Sequence, residues 1–164
     1  MTATHATVAT PRGPFTVLAD PDGAVLASGW TADVDALRVL VHPSLRPTDS
    51  AERTELGAIT RALTAYLDGD VTAVDAVEVT QRSGAFLEHA WKVLRTVPAG
   101  NPVTYREFAE LAGSPAAIRA AANACARNAA ALFVPCHRVV RTDGGMGGFR
   151  WGTEVKRWLL DHEE

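Results

Sequence analysis

A cysteine and a histidine that stand side by side, Cys136 and His137, are the residues of this chain most able to do chemistry. A thiolate is a strong nucleophile, but a cysteine is mostly protonated at neutral pH unless a base or positive surroundings assist it. Neighbours in an extended chain point to opposite sides, so a direct hydrogen bond between the two would need a turn or a bridging water. Pro135 fixes its own φ and biases Val134 to extended geometry, which favours a defined turn. On these residues alone, an inert buried thiol and an active nucleophile are equally open interpretations.

Length and composition describe an ordinary folded chain. Its 164 residues suit one domain or two small ones, and 47% apolar and 21% charged residues are typical of a folded protein. No apolar run approaches the roughly 18 residues of a membrane span, and residues 1–30 lack the features of a signal peptide. We therefore expect a cytoplasmic protein, associated with the nucleoid if the source is prokaryotic.

The two cysteines, Cys125 and Cys136, are too few for a disulfide scaffold. They lie eleven positions apart, and no second close pair of Cys or His completes a set of four zinc ligands. The sequence therefore predicts no metal and no cofactor.

Charge divides the chain into two halves. Residues 1–81 contain 5 Lys and Arg against 11 Asp and Glu, a net −6, and residues 82–164 contain 11 against 8, a net +3, which together give −3. This shift places a predicted domain boundary between residues 81 and 82. Any contact with a polyanion is expected in the second half.

The first half is predicted to be a small sheet followed by helices. Turn residues separate three strands, expected at residues 6–10, 15–19 and 24–29. Thr31 or Asp33 would cap a short helix through Val41, and Asp49 with Glu52 would cap a second helix. An edge strand is expected at residues 77–79. This half shows no catalytic constellation.

The second half begins with two predicted helices. Ser83 is a good N-cap for an amphipathic helix that ends near residues 98–100. Thr104 and Glu107 have the spacing of a capping box for a second helix that ends at Ala112.

A third predicted helix completes a helix-turn-helix. Gly113 stops the second helix, and Ser114 with Pro115 would start the next, over residues 115–127. Arg119 is its one long charged side chain amid small residues, which suits close approach to the minor groove better than reading of the major groove. Simple helix propensity and tight packing are the alternative reason for the alanines. Asn128 is expected to end the helix, since an asparagine can adopt left-handed geometry and bond nearby backbone.

A glycine-rich loop follows the cysteine, over residues 141–152. Such a loop lets backbone approach a ligand closely, although a flexible hairpin would have the same composition. It lacks the Lys-Ser/Thr pair of a phosphate-binding loop. Thr153 is predicted to cap a final helix that carries Glu163 near its end.

These blocks resemble the O6-alkylguanine-DNA alkyltransferases, also called methylated-DNA-protein-cysteine methyltransferases. The resemblance covers most of the chain and is specific from about Phe86 onward. It rests on Pro135-Cys136-His137-Arg138-Val139-Val140, on the Arg119 helix with Asn128, on Tyr105, on the loop Gly148-Phe149-Arg150-Trp151-Gly152, and on the ending 156–163.

The resemblance implies an α+β fold. Its first domain would be a small ribonuclease-H-like sheet-and-helix domain. The second would be mostly helical, with a winged-helix-like helix-turn-helix. It also implies irreversible transfer of an alkyl group from O6-alkylguanine in double-stranded DNA to Cys136, with O4-alkylthymine as a second candidate substrate. The protein would act once, as a monomer that can cluster on DNA, after minor-groove binding and flipping of the nucleotide.

Roles for individual residues follow from the same resemblance. His137 would deprotonate Cys136 through a water, Glu163 would orient His137, and Tyr105 would donate a hydrogen bond to the base. Arg119 would replace the flipped base in the stack. The further expected DNA contacts are Thr104, Tyr105, Ala120, Ala121, Asn123, Ala124 and Arg127. The expected pocket residues are Asn128, Val134, Pro135, Val139, Phe149 and Arg150.

Some positions depart from the family pattern. Phe149 stands where many members have tyrosine, and the helix of residues 115–127 has alanines where relatives often have glycines. Three alternatives compete with alkyl transfer: a damage sensor without repair activity, a DNA-binding regulator, and a cysteine hydrolase. Sensors of this type lack the cysteine, a regulator would carry longer polar side chains on the helix, and a hydrolase would draw its histidine from a distant stretch.

Overall fold

The computed structural model describes residues 2–164 and divides them into two compact units. The first unit contains the described residues up to Arg82 together with Ala129–Phe133, and the second contains Ser83–Asn128 and Val134–Glu164. The predicted division at residues 81 and 82 did not anticipate that Ala129–Phe133 joins the first unit. That residues 1–81 and 82–164 form two separate domains stays a prediction.

A four-stranded sheet forms the centre of the first unit. Its strands are β1 (Thr4–Thr10), β2 (Gly13–Ala19), β3 (Val25–Gly29) and β4 (Ala51–Glu52). Their spatial order is β3-β2-β1-β4, with antiparallel pairing of β1 with β2 and of β2 with β3, and parallel pairing of β1 with β4. The three predicted strands are confirmed. The turn residues between them allow the tight connections that antiparallel neighbours need.

Two helices accompany this sheet, α1 (Val34–Arg38) and α2 (Ala58–Leu67). Asp33, one of the two predicted caps, accepts a hydrogen bond from the Asp35 backbone and so caps α1. The helix ends at Arg38, before the predicted end at Val41. The predicted capping box of Asp49 and Glu52 is wrong, because Glu52 lies in β4 and α2 begins only after Gly57.

The strand predicted at residues 77–79 is reduced to one bridge between Val25 and Val79, which follows a 3₁₀ turn at Ala73–Ala76.

The segment Ala129–Phe133 is anchored in the core of the first unit. The Ser28 backbone N–H donates to the Ala129 carbonyl at 2.9 Å, and the Ser28 hydroxyl donates to the Ala131 carbonyl at 2.7 Å. Leu132 has φ 77°, the one positive φ outside glycine among residues 2–164, and its side chain is buried. Packing and hydrogen bonds thus hold a conformation that an isolated leucine disfavours.

The second unit contains four helices and a small sheet. The helices are α3 (Ala85–Leu94), α4 (Tyr105–Leu111), α5 (Ile118–Ala126) and α6 (Thr153–His162), and the two strands, β5 (Val103–Thr104) and β6 (Val139–Val140), pair in parallel. Helix α4 is followed after a short connection by α5, which is the predicted order of a helix-turn-helix. Gly113, with φ 82°, ends the first of them in the left-handed region that glycine adopts readily.

Three predicted helix starts are shifted. Gly84 rather than Ser83 precedes α3, and Gly152 rather than Thr153 precedes α6. Helix α5 begins at Ile118 instead of Pro115, because Ser114 accepts a hydrogen bond from the Ala117 backbone and closes a separate turn first.

The capping box of Thr104 and Glu107 is confirmed. The Thr104 hydroxyl accepts from the Glu107 backbone at 3.1 Å, and the Glu107 carboxylate accepts from the Thr104 backbone at 2.9 Å. We expect Thr104→Ala to lower the free energy of unfolding by about 1 kcal/mol, since it removes a cap. The matched control is Thr153→Ala, which removes no cap and should stay within about 0.5 kcal/mol of the wild type. Urea denaturation of the two variants measures this; equal losses would contradict it.

Candidate active site

A tight turn presents Cys136. Pro135 has φ −82° and ψ 65°, the geometry of an inverse γ-turn, and the Cys136 N–H donates to the Val134 carbonyl at 2.8 Å. A single 3₁₀ turn over Cys136–Arg138 then leads into β6. Cys136 is 8% exposed. The turn that Pro135 favours is therefore present, and it lets two neighbouring side chains serve one site.

His137 and Glu163 form a buried pair behind this turn. The His137 Nε2 lies 2.8 Å from the Glu163 Oε2, and both side chains are almost fully buried. Glu163 follows directly after α6, where its N–H bonds to the Leu159 carbonyl. The other ring nitrogen of His137, Nδ1, is buried and has no hydrogen-bond partner among residues 2–164.

Arg138 joins His137 and Glu163 in a buried triad, and the sequence alone did not predict this role. Its Nε donates to the Glu163 Oε1 at 2.9 Å and its Nη2 donates to Oε2 at 3.0 Å, a bidentate ion pair. Its Nη1 donates to the Val97 carbonyl at 2.8 Å, and the residue is only 1% exposed. No local pattern could reveal this, because an arginine beside a histidine in sequence is usually on the surface.

The triad fixes the charges of its members. Burial raises the pKa of Glu163, but the hydrogen bonds from His137 and Arg138 and the positive charge of the Arg138 guanidinium outweigh burial and bring the pKa down to about 2. Burial lowers the pKa of His137 against the opposing effect of Glu163, and the positive charges of Arg138 and Lys156 lower it further. Near neutral pH the site therefore contains a carboxylate, a guanidinium and a neutral imidazole.

Both shifts predict loss of stability in acid. For Glu163 the folded pKa is below the unfolded value of 4.5, so its stabilisation is present above pH 4.5 and is lost as pH falls toward about 2. For His137 the folded pKa is below 6.5, so the unfolded chain takes up a proton first and stability falls as pH drops below 6.5. Urea titrations across this range measure the effect. Glu163→Gln should show a shallower decline below pH 4.5, and an equally steep one would contradict the assignment.

Opposing effects act on the thiol of Cys136. Burial raises its pKa, whereas a hydrogen bond from the Asn128 side chain and the positive charges of Lys156 and Arg150 lower it. The Asn128 amide also donates to the Val134 carbonyl at 2.8 Å, which holds it beside the turn. The site can therefore stabilise a thiolate only through these few neighbours.

Lys156 is a second residue that the sequence reasoning missed. It lies on α6 and is fully buried, and its Nζ donates to the Val139 carbonyl at 2.7 Å and to the Gly148 carbonyl at 3.4 Å. Burial lowers its pKa, while the neighbouring thiols Cys136 and Cys125 raise it. Lys156 thus links β6 to the glycine-rich loop and places a positive charge near the sulfur.

Tyr105, the first residue of α4, lies against the same loop. Its ring centroid is 5.9 Å from the Lys156 Nζ, and burial together with Cys125 and Cys136 raises its pKa to about 12. The hydroxyl therefore remains a hydrogen-bond donor. Gly147, with φ 75°, passes so close that a Cβ there would lie 2.9 Å from the Tyr105 hydroxyl, which only glycine avoids.

The structure places the predicted pocket residues around the turn and the loop. Val134, Pro135, Val139 and Asn128 are buried, Phe149 is half-buried, and the Arg150 side chain donates to the Ala126 and Asn128 carbonyls. Because Lys156 already donates to the Val139 carbonyl, one lone pair of that oxygen is left for another donor.

The predicted DNA contacts divide by exposure. Arg119, Asn123 and Arg127 are exposed, and Ala120, Thr104 and Tyr105 are half-buried. Ala121 and Ala124 are fully buried, so their prediction as DNA contacts is wrong.

The burial of Ala124 has a structural reason, since Trp91 of α3 donates to its carbonyl at 2.9 Å and holds this face of α5 inward. Asn128 follows the C-cap Arg127, in agreement with its prediction as the end of the helix; it has no positive φ, and its side chain bonds the Val134 carbonyl.

The described residues contain neither a candidate metal-binding cluster nor a membrane-spanning helix. Within residues 2–164 no group of three or more His, Cys, Asp or Glu side chains is arranged to hold a metal ion. No helix in the same range has the length and apolar character needed to cross a membrane.

Known proteins with similar sequence or structure agree on one family. Residues 85–164 match the family described as 6-O-methylguanine DNA methyltransferase, DNA binding domain. A methylated-DNA–protein-cysteine methyltransferase of Shigella flexneri is 32% identical over 158 residues, which are 95% of this chain and 92% of the relative. One of Mycobacterium tuberculosis is 34% identical over 163 residues, 98% of this chain and 92% of the relative.

A solved structure shows the same likeness. The crystal structure of Mycobacterium tuberculosis OGT in complex with DNA superposes with a TM-score of 0.79 and 28% identity, over 98% of this chain and 92% of that one. The chain belongs to the methylated-DNA–protein-cysteine methyltransferase family.

Proposed function

We propose that this protein repairs DNA by transferring the alkyl group of O6-alkylguanine in duplex DNA to the sulfur of Cys136. The observation that carries the proposal is the buried Glu163–His137 pair directly behind the cysteine turn, in a chain of this family. A structural cysteine would need no base behind it, whereas a nucleophilic one does.

The charges of the triad define the base. Glu163 is ionised and can only accept, so the 2.8 Å contact requires that the His137 Nε2 carries the hydrogen. Neutral His137 then has its lone pair on Nδ1, which is buried without a protein partner among the described residues. We assign to Nδ1 the role of base, acting on Cys136 through one bridging water.

The transfer is a substitution at carbon. The proton of Cys136 passes through the water to Nδ1 of His137, and Glu163 stabilises the imidazolium that forms. The sulfur forms a bond to the alkyl carbon while the bond from that carbon to O6 breaks, and its electron pair stays on guanine. Tyr105 donates a hydrogen bond to the departing base. Solvent returns a proton to guanine and accepts the one held by His137.

The product explains why each molecule acts once. A thioether is a very poor leaving group, and none of the proposed groups supplies a nucleophile to cleave it. Lys156 and Arg150 stabilise the thiolate by charge alone. The protein is therefore consumed by its reaction.

Helix α5 is the proposed DNA-binding element. Small side chains allow close approach to the minor groove, where the exposed Arg119 takes the place of the flipped nucleotide. Ala120, Asn123, Arg127 and Thr104 would make further contacts. The finer fold description, a ribonuclease-H-like first domain and a winged-helix-like second one, is part of the proposal, as are a cytoplasmic location, a monomeric state and clustering on DNA.

Transfer of label from an O6-methylguanine duplex tests the proposal. Wild-type protein should take up label, and Cys136→Ala should take up none while keeping its affinity for unmodified duplex. Equal labelling of both proteins would refute the assignment of Cys136. Absence of labelling in both, with binding of the damaged duplex retained, would favour a damage sensor instead.

A further inference from the structure

Arg150 caps the C-terminal end of helix α5 from a distant part of the chain. Its Nη1 donates to the Asn128 carbonyl at 2.9 Å, and its Nη2 donates to the Ala126 carbonyl. The helix has no basic residue in its last turn, and its C-cap, Arg127, is not a glycine. The guanidinium therefore satisfies the Ala126 carbonyl at the open end of the helix and the Asn128 carbonyl just beyond it, and it complements the negative end of the helix dipole.

The loop of residues 141–152 is anchored at its far end by this contact. Near its start, Arg141 pairs with Asp143 of the same loop, so that ion pair ties the loop only to itself. Phe149, one of the expected pocket residues, is the neighbour of Arg150 in sequence. The contacts of Arg150 therefore restrain the backbone next to Phe149.

A continuous series of hydrogen bonds runs from Arg150 to the nucleophile. Arg150 holds the Asn128 carbonyl, and the Asn128 amide donates to the Val134 carbonyl at 2.8 Å. The same Val134 oxygen accepts from the Cys136 N–H at 2.8 Å. Both lone pairs of that oxygen are thereby used, one to hold Asn128 and one to shape the cysteine turn.

We propose that the Arg150 side chain is a positioning residue for alkyl transfer, which fastens the pocket loop and the Cys136 turn to the end of the DNA-binding helix. Binding of α5 to DNA would then orient both sides of the pocket together. This inference rests on the proposed function of the site. It assigns to the side chain a task beyond the expected place of Arg150 among the pocket residues.

The charge of Arg150 supports the same assignment. Burial raises the pKa of Cys136, and Arg150 is one of the groups that lower it. Three other titratable groups interact with Cys136 and would remain in an Arg150 variant: Lys156 on α6, Cys125 on α5 and Tyr105 on α4. His137 is the next residue in sequence. Loss of Arg150 should therefore raise the pH at which Cys136 becomes reactive without abolishing its reactivity.

The first experiment compares Arg150→Met with the matched control Arg141→Met, which removes an arginine of the same loop that pairs only with Asp143. Rates of label transfer are measured with an O6-methylguanine duplex and with a free O6-alkylguanine base. We expect Arg150→Met to be slower by about tenfold or more on both substrates, because small misplacement of reacting groups can cost up to about a hundredfold. Arg141→Met should match the wild type, and affinity for unmodified duplex should not change in Arg150→Met.

The second experiment separates charge from geometry. The rate of Cys136 alkylation by iodoacetamide is followed against pH for the wild type, Arg150→Met and Arg150→Lys. Lysine keeps the charge but lacks the planar fork that reaches two carbonyls at once. In Arg150→Lys the pH at which alkylation reaches half its maximum rate should therefore equal that of the wild type, and alkyl transfer from DNA should proceed at an intermediate rate. In Arg150→Met this half-maximum pH should be higher.

Two results would overturn the inference while leaving the proposed function intact: Arg150→Met transferring as fast as Arg141→Met, or a loss of transfer matched by an equal loss of affinity for unmodified duplex, which would make Arg150 a DNA contact. No transfer by the wild type would instead refute the proposed function. The half-maximum pH of alkylation would then still test whether Arg150 acts on Cys136.

Discussion

Glu163→Gln is expected to slow alkyl transfer by about 10² to 10⁴-fold, the usual contribution of a positioned base. Glu163 holds the His137 Nε2 hydrogen and thereby leaves Nδ1 as the base. An amide can offer its own N–H groups to His137 and removes the charge that stabilises the imidazolium. The population of His137 in the required tautomer should fall accordingly.

The same substitution should lower the free energy of unfolding by about 3–5 kcal/mol, because it leaves the buried Arg138 charge without its partner. Glu164→Gln is the matched control, since it changes the next residue, which is exposed. Transfer rates and urea denaturation measure the two effects. A Glu163→Gln protein that behaves like Glu164→Gln in both would contradict the role of the triad.

Arg138→Met should destabilise the protein by a similar amount, about 3–5 kcal/mol, because the buried Glu163 carboxylate would lose its bidentate guanidinium partner. Arg138 lowers the pKa of both Glu163 and His137, so both pKa values should rise in the variant. His137 would then carry a proton at a higher pH and would be a poorer base there. The transfer rate should therefore begin to fall at a higher pH than in the wild type.

Arg157→Met is the control for Arg138→Met, since Arg157 is an exposed cation on α6. The double variant Arg138→Met, Glu163→Gln should lose less stability than the sum of the two single losses, because neither buried charge is then left alone. Strict additivity, or an unchanged pH profile in Arg138→Met, would show that Arg138 does not act through Glu163.

Local chemistry in the sequence predicted a good part of the framework. Pro135 favoured the turn at Cys136, and the spacing of Thr104 and Glu107 predicted a capping box that is present. Such features depend on neighbours within a few residues, so they are readable from one sequence. The resemblance suggested that His137 and Glu163 act together, and the structure places them 2.8 Å apart.

The rest depends on partners far away in the chain. The burial of Arg138 and Lys156 follows from Glu163, Val97 and Val139, which no local pattern associates with them. In α5 the alanines hide the periodicity that would separate an inward face from an outward one.

The most direct test of alkyl transfer to Cys136 is the intact mass of the protein after exposure to excess O6-methylguanine duplex. We expect each wild-type molecule to gain one methyl group in place of one hydrogen, with the adduct on Cys136 and one guanine restored per protein molecule. Cys136→Ala should gain nothing. Restoration of many guanines per molecule, or a stable adduct on any other residue in place of Cys136, would contradict the account.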